Sequence, residues 1–101
     1  MTKEGTIVLS GFNLEPAEKA IVDNLMQNYK HKIQQRINFK EIKLRMKKSQ
    51  HGKMFLHEVQ GTLIGDKQFS SQTEDYNLFA AISAVLDNLM REALHSQSRK
   101  K

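Results

Sequence analysis

Apolar and polar positions divide the chain into six segments. Thr6 to Ser10, TIVLS, is a short β-branched run closed by Gly11, and it predicts a strand with Phe12 and Asn13 in the following loop. Pro16, early in the next segment, suits a first helical turn. Ile21, Val22, Leu25, Met26, Tyr29 and Ile33 then recur at spacings of three and four. That is one apolar stripe on a helix of about 20 residues, with Lys19, Asp23, Gln27, Lys30 and Gln34 on the wet side. From Phe39 to Lys48 the period changes to two. Ile42, Leu44 and Met46 alternate with Lys43, Arg45 and Lys47, so one strand face can be buried while the other presents cations. Ser49 to Gly52 supplies turn chemistry.

Met54 to Ile64 predicts a third strand whose inward register is open. Phe55, His57, Val59 and Leu63 share one parity, and Met54, Leu56 and Ile64 the other. Gly61 is a candidate bulge between them. Gly65-Asp66 signals a two-residue hairpin, and Lys67 to Thr73 a fourth, weakly apolar strand suited to an edge. Asp75 or Asn77 can cap a second helix. Its broad apolar face runs through Leu78, Phe79, Ala81, Ile82, Val85, Leu86, Leu89, Met90 and Ala93, with Ser83, Asp87 and Arg91 outside. Periodicity stops after Leu94, so residues 96–101 are expected to be a basic disordered tail on a single domain of residues 1–95. Two amphipathic helices need one sheet face to pack on. The expected class is α+β: a two-layer sandwich in the order β-α-β-β-β-α, with a four-stranded sheet and both helices on one face.

Charge sharpens this picture. Nine of the 16 Lys and Arg residues lie between Lys30 and Lys53, opposed only by Glu41, a net +8; the remaining seven face ten carboxylates, a net −3. The whole chain of 101 residues carries +5, with a pI of about 9.6. A row of cations on the helix-free sheet face suits a polyanion, and nucleic acid is the commonest. The candidate RNA-binding residues are Lys30, Lys32, Arg36, Lys43, Arg45, Lys47, Lys48, Lys53 and Arg91. Phe39 and Phe55 are conceivable base-stacking platforms, although core packing is the ordinary fate of such residues.

Other chemistry is poorly represented. Cysteine is absent, and His31, His51, His57 and His95 lack the short paired spacing of a zinc site. Glu15 and Glu18 fit helix-end electrostatics better than acid–base work. No glycine loop is placed to cradle a phosphate. The residues point to a non-enzyme without cofactor or small-molecule substrate. They also lack a signal peptide or spanning segment, which suggests a cytoplasmic location.

The stretch Asn77-Leu78-Phe79-Ala80-Ala81-Ile82 resembles the hibernation-promoting factor family, the ribosome-associated inhibitors of translation. That family opens its second helix with Asp, an apolar residue, an aromatic and Ala-Ala-Ile-Asp; here Asn77 and Ser83 replace the two Asp residues. Asp87-Asn88-Leu89 stands where the family has Asp-Lys-Leu, so one cation is missing. Leu9-Ser10-Gly11 is similar to its strand-end Thr-Gly, and Lys32-Ile33 to its Lys-Leu. The aromatic that usually follows is absent, and that connection is about two residues short. The basic end of the second helix is reduced to Arg91 and His95, with Arg99, Lys100 and Lys101 as partial replacements.

The resemblance implies a diverged short form without the C-terminal dimerisation domain. It would bind small-subunit rRNA in the mRNA and tRNA channel and inhibit translation during hibernation or stress. Two alternatives stand beside it. One is a structured- or double-stranded-RNA binder not tied to the ribosome, although the acidic Thr73-Glu74-Asp75-Tyr76 replaces the Lys cluster such domains place before their last helix. The other is a protein-interaction module with a basic face. No feature of the sequence sets the oligomeric state.

Overall fold

A computed structural model of the chain describes the backbone of residues 5–11 and 14–99, and side chains as far as Ser96. Phe12 and Asn13, the expected loop, and Lys100 and Lys101, the end of the expected tail, lie outside the described residues. The elements are β1 (Thr6–Ser10), α1 (Pro16–Gln34), β2 (Phe39–His51), β3 (Met54–Gly65), β4 (Gln68–Asp75) and α2 (Leu78–Arg99). The sheet runs β1-β2-β3-β4, mixed in direction: β1 is parallel to β2 and the other pairs are antiparallel. A parallel pair needs a crossover, and α1 supplies it. Both helices lie on one face, as the amphipathic pattern requires. The α+β sandwich in the order β-α-β-β-β-α is therefore borne out.

The core lies between the layers. Ile42, Leu44 and Met46 of β2 and Val59 and Leu63 of β3 meet Val22, Met26 and Ile33 of α1 and Leu78, Ala81, Ile82, Val85, Leu86, Leu89 and Ala93 of α2. The β3 register is thereby settled: Val59, Gly61 and Leu63 point inward, opposite Met46, Leu44 and Ile42. Gly61 is not a bulge. A Cβ there would lie 2.4 Å from Val85 Cγ1 and 3.0 Å from Leu44 Cδ2 and Leu89 Cδ1, so the missing side chain lets α2 sit down on the sheet. The register irregularity falls instead between Phe39 and Glu41.

Helix ends follow local chemistry. The Glu15 amide donates to Glu18 Oε1 at 3.2 Å at the start of α1. Of the two candidate caps for α2, Asn77 is the one used: its Oδ1 accepts from the Phe79 and Ala80 amides at 2.9 and 3.1 Å. Asp75 sits one step back and accepts from the Asn77 amide at 2.8 Å.

Several expectations need correction. Ile21, assigned to the α1 stripe, is 50% exposed, while Lys30 and Gln34 on the supposed wet side are half-buried. Ile21 and Val22 are about 100° apart on a helix. Val22 takes the centre of the contact, which turns its neighbour outward. Ser83 and Asp87 are half-buried rather than on the outer side of α2. The Tyr29 hydroxyl donates to Asp87 Oδ1 at 3.0 Å, clasping α1 to α2. Burial, followed by the Asp87 carboxylate, raises the Tyr29 hydroxyl above its usual range; a contact with Ser83 opposes the shift.

α2 also continues to Arg99, past Ser96, where a disordered tail was expected. Each residue added to an existing helix needs no new nucleus, and Lys67 Nζ donates to Ser96 Oγ at 3.2 Å. The second hairpin has a two-residue connection, as expected, but it is Asp66-Lys67 rather than Gly65-Asp66, because β3 runs on through Gly65.

Candidate nucleic-acid interface

The candidate site begins with the alternation in β2. Its even positions from Ile42 to Met46 are buried under the helices, so Lys43, Arg45 and Lys47 emerge on the helix-free face. Alternate strand residues stand about 7 Å apart, so the row spans roughly 14 Å on a rigid inner strand. Neighbours in the register decide its character. Lys43 lies between Val8 and Thr62, with Ser70 beyond. Arg45 lies between Ser10 and Gln60, with Gln72 beyond. Lys47 faces Glu58, with Glu74 beyond, and Glu41 begins the row at its other end.

Within the paired register, the open face thus carries three cations and three carboxylates. It is banded rather than uniformly positive. Lys43 and Arg45 form its carboxylate-free centre. Glu58 accepts from Gln72 Nε2, and Gln72 Oε1 accepts from Gln60 Nε2 at 3.2 Å, so a hydrogen-bonded polar strip runs beside Arg45.

The other six candidates lie elsewhere. Lys48 and Lys53 belong to the distal end of the β2–β3 hairpin, where His51 pairs with Met54 across a tight Gly52-Lys53 turn. This turn is tighter and later than the Ser49–Gly52 stretch that the sequence suggested. Gly52 has φ +65°, a left-handed conformation suited to the first central position of a type II′ hairpin. Lys48 projects to the opposite surface from Lys47, with Nζ 4.9 Å from the centroid of the Phe55 ring.

Lys30 lines a groove of about 390 Å³ between α1 and β1, with Thr6, Ile7 and Leu9. Lys32 lies over the Tyr29 ring at 5.5 Å. Arg36 is exposed in the connection after α1. Arg91 lies at the opposite edge of the sheet, in a groove of about 530 Å³ lined by Lys67, Phe69, Glu92, His95 and Ser96. The sequence-based set therefore comes together only as the β2 row, while Lys48, opposite His57, and Lys53, in the turn, occupy separate positions along the hairpin.

One feature was missed from the sequence. Lys67 joins Arg91 and His95 at the β4 edge, a grouping hidden by the distance along the chain. Phe55 stands exposed, whereas Phe39 is buried as expected. Its signal was available, since Phe55 falls where the strand outruns any helix that could cover it. Among the described residues, no group of three or more His, Asp or Glu is gathered for a metal ion, and no helix is long and apolar enough to cross a membrane.

Comparison with solved structures places this arrangement among known folds. The Thermus thermophilus Protein Y N-terminal domain superposes with a TM-score of 0.55 at 19% identity, covering 89% of this chain and 93% of that one. A ribosomal subunit interface protein from Coxiella burnetii superposes with a TM-score of 0.58 at 14% identity, covering 95% and 99%. The chain has the fold of the hibernation-promoting factor family. The resemblance noted around Asn77 to Leu89 thus extends, as a fold, over nearly the whole chain. No protein-family model matches the sequence, and no curated protein matches it either.

Proposed function

We propose that this protein binds RNA of the small ribosomal subunit and holds translation silent while bound. The observation that carries the reading is the Lys43–Arg45 centre on the helix-free face, set in a fold shared with a ribosomal subunit interface protein. The chemistry is phosphate neutralisation with counterion release rather than base reading. Rigid β2 fixes the spacing of the cations, and the Gln60–Gln72 strip beside them offers hydrogen bonds to sugar and phosphate oxygens. No step of this role requires a catalytic group or cofactor, and it places the protein in the cytoplasm with the ribosomes.

The test is co-sedimentation with purified small subunits over a range of salt, comparing wild type with Lys43→Glu/Arg45→Glu/Lys47→Glu. The expected result is lost co-sedimentation at moderate salt. Removing three phosphate contacts should also flatten the log–log salt dependence by roughly 2–3. Equal sedimentation of the two proteins would show that the surface is wrong. The carboxylates at both ends of the row favour one competing reading, a module that docks a charged protein surface. Binding that survives RNase digestion of the subunit would favour that reading.

A further inference from the structure

Beyond the last residues paired to β1 or β4, the β2–β3 hairpin continues as a two-stranded arm, residues 49–56. Three of the exposed large apolar side chains gather at this end: Met54 at 55%, Phe55 at 46% and Tyr76 at 47%. Tyr76 reaches the arm through an edge-on contact with His51, ring centroids 6.5 Å apart. Residues 49–56 include no carboxylate, Lys48 lies against the Phe55 ring, and Lys53 sits in the turn two residues before it. An exposed ring bordered by cations, without acidic neighbours in the arm, fits a ligand that is flat, apolar on its face and anionic at its margin. An unpaired nucleotide has that form. A duplex does not, because its base faces are already stacked.

We infer that the arm binds single-stranded RNA by stacking an unpaired base on Phe55, with Lys48 and Lys53 taking the flanking phosphates. The inference rests on the RNA-binding reading above and adds a second contact, on the opposite surface of β2 from the cationic row. Lys48 already lies 4.9 Å from the Phe55 ring centroid. Such a cation–π contact is weak at an exposed site. A stacked base replaces it and leaves the ammonium beside the base's own phosphate. The tip is also tied locally: Gln50 Nε2 donates to the Gly52 carbonyl at 3.1 Å.

The chain has no tryptophan, so Phe55→Trp would introduce a unique fluorophore at the site. Adding oligouridylate should quench its emission saturably, and an equal concentration of duplex RNA should not. In anisotropy titrations with a labelled single strand, Phe55→Ala should weaken binding roughly 5- to 100-fold. Duplex affinity and melting temperature should stay near wild type, because the ring is exposed and stands outside the core cluster. Unquenched Phe55→Trp together with unchanged Phe55→Ala affinity would overturn the stacking inference. The cationic-row reading would survive that result if Lys43→Glu/Arg45→Glu/Lys47→Glu still lost RNA. If wild type binds neither RNA, both readings fall. If Phe55→Ala loses the small subunit but keeps naked RNA, the arm contacts a protein and the inference is overturned.

Discussion

Gly61→Ala tests the packing that holds the sheet against its helices. The added methyl would meet Val85 Cγ1 at 2.4 Å and Leu44 Cδ2 and Leu89 Cδ1 at 3.0 Å. Comfortable carbon–carbon separations are about 3.5–4.0 Å. Val85 must therefore give way by about 1 Å, and Leu44 and Leu89 by about half that. All three are essentially fully buried, which leaves little room for rotation. α2 must lift or Val85 must leave its rotamer, and overpacking of this kind costs about 1–3 kcal/mol.

Urea denaturation followed by circular dichroism measures the cost, since a domain of this size is expected to unfold in one transition. A 1 kcal/mol loss corresponds to a melting-point drop of about 4–8 °C. Truncating Val85 opens the space that the methyl needs. Gly61→Ala/Val85→Ala should therefore be at least about 1 kcal/mol less destabilised than the sum of the single changes. A Gly61→Ala protein within about 0.5 kcal/mol of wild type, the range of an ordinary surface change, would refute the close approach. So would strictly additive losses.

Asn77→Ala removes the acceptor for two α2 amides and should cost about 1 kcal/mol by the same assay, whereas Asn77→Asp should retain the cap. Tyr29 favours its neutral form in the fold, because burial and Asp87 raise its pKa. The folded state then holds the proton more tightly than the unfolded chain. This contribution is complete below pH ~10 and fades as pH rises through the folded value. Tyr29→Phe should lose about 1 kcal/mol at neutral pH and show a shallower fall in stability above pH ~10; parallel alkaline profiles would contradict the clasp. On the RNA side, Arg45→Ala should weaken filter-bound small-subunit RNA more than Lys47→Ala does, because Glu58 faces Lys47 and partly offsets its charge. Equal losses would mean that the banding of the face has no effect on binding.

Element order, the period change from α1 to β2 and the outward direction of Lys43, Arg45 and Lys47 can all be read along the chain. These properties are local: side-chain direction in a helix or strand follows from backbone period alone. The start of α2 was legible as far as Asp75 or Asn77, and the structure selects Asn77. Tertiary structure decided which partner each surface meets. Gly61 reads along the chain as a candidate bulge, and only the descent of α2 shows it to be a contact position. Ile21 and Asp87 exchanged their expected environments because neighbouring positions compete for one helix–helix seam. The carboxylates beside Lys47 are distant in the chain and become neighbours only when β3 and β4 pair. Electrostatics and burial depend on distances in space, and strand register converts separation along the chain into those distances.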